Sequence, residues 1–149
     1  MDAFDKIKEK VEQNTDTVEF RDFGDGTTDN WIKKAELALG VKFPVSYKWW
    51  LKNYGGGEIL GEEIFSIYEM DFEEVVGGDV VKMTKLYRTR GVDKDSIVVS
   101  TTDRGEIFYL KTSEMNNFND CPVYLNVTNA IYADNFIDFL QKRIDENIT

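Results

Sequence analysis

The chain has 149 residues, 28 Asp and Glu against 18 Lys and Arg, no histidine and one cysteine, for a formal net charge of −10. That length suits one domain burying about two-thirds of its unfolded surface, and 42% apolar and 13% aromatic residues supply a core and exclude disorder. Without histidine there is no Ser-His-Asp, Cys-His or His-based metal site, and a lone Cys121 excludes intramolecular disulfides, Cys-rich zinc sites and iron–sulfur clusters.

In chain order, Phe4, Ile7 and Val11 fall at i, i+3 and i+7, so an amphipathic helix opens the chain. Val18 and Phe20 alternate with polar residues as a short strand, Gly24-Asp25-Gly26 turns, and Asp29 is expected to cap the next helix. Ile32, Ala35 and Leu39 form that helix's apolar face, and Gly40 stops it. Pro44 sits at a helix first turn. Tyr47, Trp50, Leu51 and Tyr54 follow as a buried face that ends at Gly55-Gly56-Gly57. Ile59-Leu60 and Ile64–Ile67 read as strands separated by Gly61-Glu62-Glu63. Asp79 caps a helix running to Arg90, with Val80, Met83, Thr84 and Tyr87 inward and Gly91 as its stop. Ile97–Val99 and Glu106–Leu110 form a hairpin turning at Thr102–Gly105, and Cys121–Leu125 reads as the last strand. Ala133, Phe136, Ile137, Leu140 and Ile144 face inward from a closing helix. The expected fold is α+β in a single domain over residues 1–149. N-terminal helices come first, then a mainly antiparallel sheet of about four to six strands, then the C-terminal helix.

The charge is unevenly spread. Residues 1–52 and 82–149 each carry a net −1, whereas residues 53–81 hold no Lys or Arg and eight acids. These are Glu58, Glu62, Glu63, Glu69, Asp71, Glu73, Glu74 and Asp79. Such a tract is either a solvated face or a surface for a basic partner.

The motif Glu36…Leu39-Gly40-Val41…Phe43-Pro44…Ser46-Tyr47-Lys48…Tyr54-Gly55-Gly56-Gly57, with Cys121-Pro122-Val123 and Ala133–Leu140 after it, resembles the SUKH superfamily of cell-wall regulators and bacterial immunity proteins. The likeness runs from about Thr28 to Ile144 and is greatest to YobK-type bacterial members. Phe43 replaces the usual leucine before proline, and Asn135 stands where serine is common. The resemblance implies a cytoplasmic immunity protein that binds and neutralises a cognate toxin, a nuclease foremost. The alternative it leaves open is an interaction scaffold without a toxin partner.

The residues set further expectations. Glu36 serves a structural hydrogen bond, Trp50 is core, Trp31 packs as a staple at its helix start, and Cys121 is a buried small residue. The glycine run lacks a following Gly-Lys-Ser/Thr, so it is no phosphate loop. Asp22, Asp25 and Asp29 miss the spacing of a calcium loop. No catalytic residue, metal or cofactor is expected, and adjacent acids such as Glu62 and Glu63 would point to opposite faces of a strand. The partner surface is expected at Glu58, Glu62, Glu63, Asp71, Glu73 and Glu74, with Trp49 or Phe72 as apolar anchor and Asp103 and Glu106 as secondary contacts. No direct nucleic-acid or membrane binding is expected of so acidic a chain. A monomer or a weak homodimer through an exposed last strand is expected. The charged N-terminus lacks a signal-peptide pattern, which points to the cytoplasm.

Overall fold

The computed structural model describes residues 2–148. The described residues form five α-helices and seven strands, with helices α1 (Ala3–Gln13), α2 (Asp29–Leu39), α3 (Val45–Asn53), α4 (Val80–Arg88) and α5 (Phe136–Asn147). The strands are β1 (Val18–Phe20), β2 (Gly57–Ile59), β3 (Glu62–Ile64), β4 (Ser96–Thr101), β5 (Ile107–Lys111), β6 (Val123–Leu125) and β7 (Ala130–Ala133). They form one antiparallel sheet in the order β1-β2-β3-β4-β5-β6-β7, so every strand pairs with its neighbours in sequence.

Local chemistry sets the helix ends. The side chain of Asp79 accepts the amides of Val81 and Lys82 and starts α4, and Asn135 accepts the amide of Asp138 and starts α5. Gly40 closes α2 in the left-handed region at φ 70° and returns its N–H to the Glu36 carbonyl. Thr28, not Asp29, caps α2 by accepting the Trp31 amide. Asp29 becomes the first helical residue and pairs with Lys52 at 3.1 Å. Pro44 is likewise the residue before α3 rather than within its first turn.

Two stretches of the sheet differ from expectation. Leu60 and Gly61 both take positive φ, 44° and 80°, and make a two-residue hairpin turn between β2 and β3. The turn draws Glu62 and Glu63 into strand β3 and leaves Phe65–Ile67 beyond it. Cys121–Leu125 does not hold the last strand: a turn at Asn126–Asn129, with Asn129 at φ 51°, leads into β7. Ala133 therefore pairs with Val123 in the sheet instead of lying on the closing helix, which cannot begin before its cap at Asn135.

The central strand β4 is buried on both faces. On the inner face α5 lies against β2 and β7, and α1 packs on α5. Phe108, Phe136 and Phe139 cluster there with Tyr47 and Trp50 of α3 in edge-on and tilted contacts. On the outer face α4 covers β4, with α2 against α4. The Arg88 guanidinium fastens this layer by donating to the Leu39 and Ser96 carbonyls at 2.8 and 3.1 Å. Trp50 is fully buried, as expected. Of the residues expected inward on α4, Val80 and Thr84 are buried and Met83 and Tyr87 only half-buried.

Candidate functional site

The acidic tract is divided by the alternation of strand β3. Ile59 and Ile64 point into the core, so Glu62 shares their side and Glu63 takes the other. Glu62 lies between the sheet and α5, where it forms an ion pair with Arg143; the two side chains are 27% and 13% exposed. It is bound within the fold and does not stand with the free acids.

Glu63 stands on the outer side, where the register sets Glu19, Glu58 and Glu63 side by side across β1, β2 and β3. Directly opposed side chains have Cβ atoms about 5 Å apart, and like charges so placed oppose folding. The Tyr68 hydroxyl donates to Glu63 and accepts the Gly78 amide at 2.9 Å. Burial first, and the Glu63 carboxylate second, push the Tyr68 hydroxyl up to about 12, so it keeps its proton as a donor.

Residues 68 and 78 both touch Glu63, so the loop between them springs from the acidic row. It carries Glu69, Asp71, Glu73 and Glu74, all exposed, with Met70 and Val76 bare among them at 52% and 73% exposure. Asp71 also shapes the loop by accepting the Glu73 amide at 2.9 Å. Beside the row, Arg21, Glu63, Tyr68 and Met70 line a hollow of about 390 Å³.

The expected apolar anchors are placed otherwise. Phe72 is half-buried, edge-on to Trp31 at 5.8 Å, and pins the loop to α2. Trp49 is half-buried and stacked on Phe4 at 4.8 Å, with Phe23 and Tyr54 against it. It belongs to the aromatic layer joining α1 and α3. Asp103 is exposed at the tip of the β4–β5 turn, whereas Glu106 is held inside that turn by the Thr102 hydroxyl at 3.0 Å. Glu19 was not among the expected contacts, yet it completes the row; its position between Val18 and Phe20 in an alternating strand is the signal that marks it outward.

Two of the aspartates near the first turn are engaged in ion pairs, Asp25 with Arg21 at 3.6 Å and Asp29 with Lys52. Among the described residues no three His, Cys, Asp or Glu side chains converge as metal ligands. Nor, among those residues, is any helix long and apolar enough to cross a membrane.

Around this frame the signature residues hold structural posts. The Glu36 carboxylate, 7% exposed, accepts the Phe43 amide at 2.7 Å and lies 3.6 Å from Lys48 Nζ, so it ties the end of α2 to the start of α3. The Ser46 hydroxyl donates to Asp120 at 2.6 Å and accepts the Phe136 amide, which links α3 to the start of α5. A SUKH family model described as SMI1-KNR4 cell-wall matches residues 3–145. The chain belongs to the SMI1-KNR4 family. The match spans all five helices and all seven strands apart from the last residues of α5. In this SMI1-KNR4 domain, Glu36 joins the consecutive helices α2 and α3 and Ser46 joins the distant α3 and α5, while the acidic row lies on strands whose inward residues do the packing.

Proposed function

We propose that this SMI1-KNR4 domain is a cytoplasmic, non-enzymatic immunity protein of the YobK type. It neutralises a cognate toxin, a basic nuclease domain, by docking its acidic outer face over the toxin's phosphate-binding site. The observation that supports this reading is the row Glu19–Glu58–Glu63, continued by the exposed acids of the loop 69–74. Carboxylates set side by side repel one another, and a cationic partner relieves that repulsion on binding. A nuclease must present cationic groups to phosphate, so this face competes with the toxin's own substrate. Met70 and Val76, bare among the acids, supply the apolar contact that charge alone does not.

The test is binding to the toxin domain encoded beside this protein. Glu58, Glu73 and Glu74 are changed together to Lys, because none of them makes a side-chain bond that holds the fold. Glu63 is left in place to keep its contact with Tyr68. Circular dichroism checks folding. The expected result is affinity reduced by about tenfold to a hundredfold, with most of the loss in the association rate. Unchanged affinity and association rate would remove the acidic face from the interface. A domain with no neighbouring toxin that binds another protein through this face would instead be an interaction scaffold.

A further inference from the structure

The molecule also carries a surface of the opposite character. Between the end of α2, the start of α3 and the segment 112–119 runs a groove of about 1040 Å³. Its wall includes Leu37, 82% exposed, and Val45, 43% exposed, with Val41 and Met115 half-buried between them. Phe118, 82% exposed, adjoins it, since the Asn119 carbonyl accepts the Val45 amide at 2.8 Å. Three lysines, Lys33, Lys42 and Lys48, line the same groove. The one acid in its lining, Glu36, is buried and already holds the Phe43 amide and Lys48. On a chain of net charge −10, this is a locally cationic site with an apolar floor.

We infer that this groove docks a peptide segment of a partner protein in which apolar side chains are flanked by Asp or Glu. Three features select that occupant. The volume of about 1040 Å³ lies at the upper end of the range of small-molecule sites, so the groove has room for several residues of chain. Leu37, Val45 and Met115 offer apolar contact along its length, with Thr112 and Asn119 as the neutral polar groups beside them. The lysines favour carboxylates and oppose a basic segment. The site shares no residue with the acidic row, so the protein presents two faces of opposite charge, and this inference does not depend on the toxin-binding reading.

A random peptide library displayed on phage is selected against the full chain. A fluorescent copy of the most enriched peptide is then titrated by anisotropy. Enriched sequences should carry apolar residues beside Asp or Glu. Leu37→Asp with Val45→Asp, and separately Lys42→Glu, should each weaken the peptide at least tenfold. Glu73→Lys with Glu74→Lys should leave its affinity unchanged. Leu37, Val45 and Lys42 are exposed, so these variants retain the fold, which circular dichroism verifies. The inference is overturned if no sequence is enriched, if the enriched peptides are basic, or if the groove variants bind as the parent does. It is also overturned if sedimentation shows a dimer that Leu37→Asp abolishes, because a second copy would then be the occupant.

Discussion

Glu36 and Cys121 show how single side chains answer to burial. The Glu36 carboxylate is the acceptor for a buried backbone amide at Phe43. Removing it orphans that donor and costs about 2 kcal/mol. Glu36→Ala is therefore expected to lower the urea midpoint clearly, and Glu36→Gln, which keeps an oxygen acceptor, to lower it less. For Cys121, burial foremost and the nearby Asp120 next push the thiol up to about 12. Disulfide reagents should leave the folded protein untouched at mildly alkaline pH and modify it once guanidinium unfolds it. The linkage has a definite sign. Between its ordinary 9.0 and about 12 the folded thiol keeps a proton that the unfolded thiol loses, so stability falls as pH rises through that window. Cys121→Ala should flatten the pH slope of stability there. Both roles were legible in the sequence: Glu36 sits on an apolar helical face, where a charged group must find a partner, and Cys121 lacks any neighbouring base. The stacking of Trp49 under Phe4 was not legible, because it depends on how α1 crosses α3 rather than on the spacing within either helix.

Strand β3 and helix α5 meet through Glu62 and Arg143, and Arg143 also lies 5.0 Å from the centre of the Phe108 ring. Replacing Arg143 with Met leaves a carboxylate without its partner at a site only partly open to water, at a cost of about 1–3 kcal/mol. Glu62→Met combined with Arg143→Met should recover part of that loss, and chemical denaturation of the two single variants and the double variant gives the coupling. The apolar stripes of α1 and α2 and the Asp79 cap of α4 were readable along the chain, whereas the cap of α2 lies at Thr28, one residue before the Asp29 that was expected. The three-residue strands were harder. β7 holds Ala, Ile, Tyr and Ala after an Asn-rich turn, and its pairing to β6 rests on Asn129 entering the left-handed region. The β2–β3 turn depends in the same way on Leu60, an unusual residue at positive φ, so the strand bounds there are displaced from the apolar runs.

At the scale of the whole molecule, charge is sorted by face. The tract 53–81 was visible as a block of eight acids without a cation, but which of them face outward depends on strand register, and register is invisible until the turns are known. The sorted field has a kinetic consequence. Association with a basic partner should slow steeply as salt shortens the screening length toward about 8 Å, while dissociation changes much less. Stopped-flow rates across a salt series should show that asymmetry for the parent and lose most of it in the variant reversed at Glu58, Glu73 and Glu74.

The alternation along β1, β2 and β3 separates two kinds of information in one short stretch of chain. Val18, Ile59 and Ile64 are committed to the core, while Glu19 and Glu58, interleaved with them, point to the other side and Glu63 there holds Tyr68. Substituting the outward positions leaves the inward packing in place, so on the toxin-binding reading one core can carry different partner surfaces. Two such proteins with the same core would differ in whom they recognise by a handful of alternate residues, and exchanging those residues would exchange their allegiance.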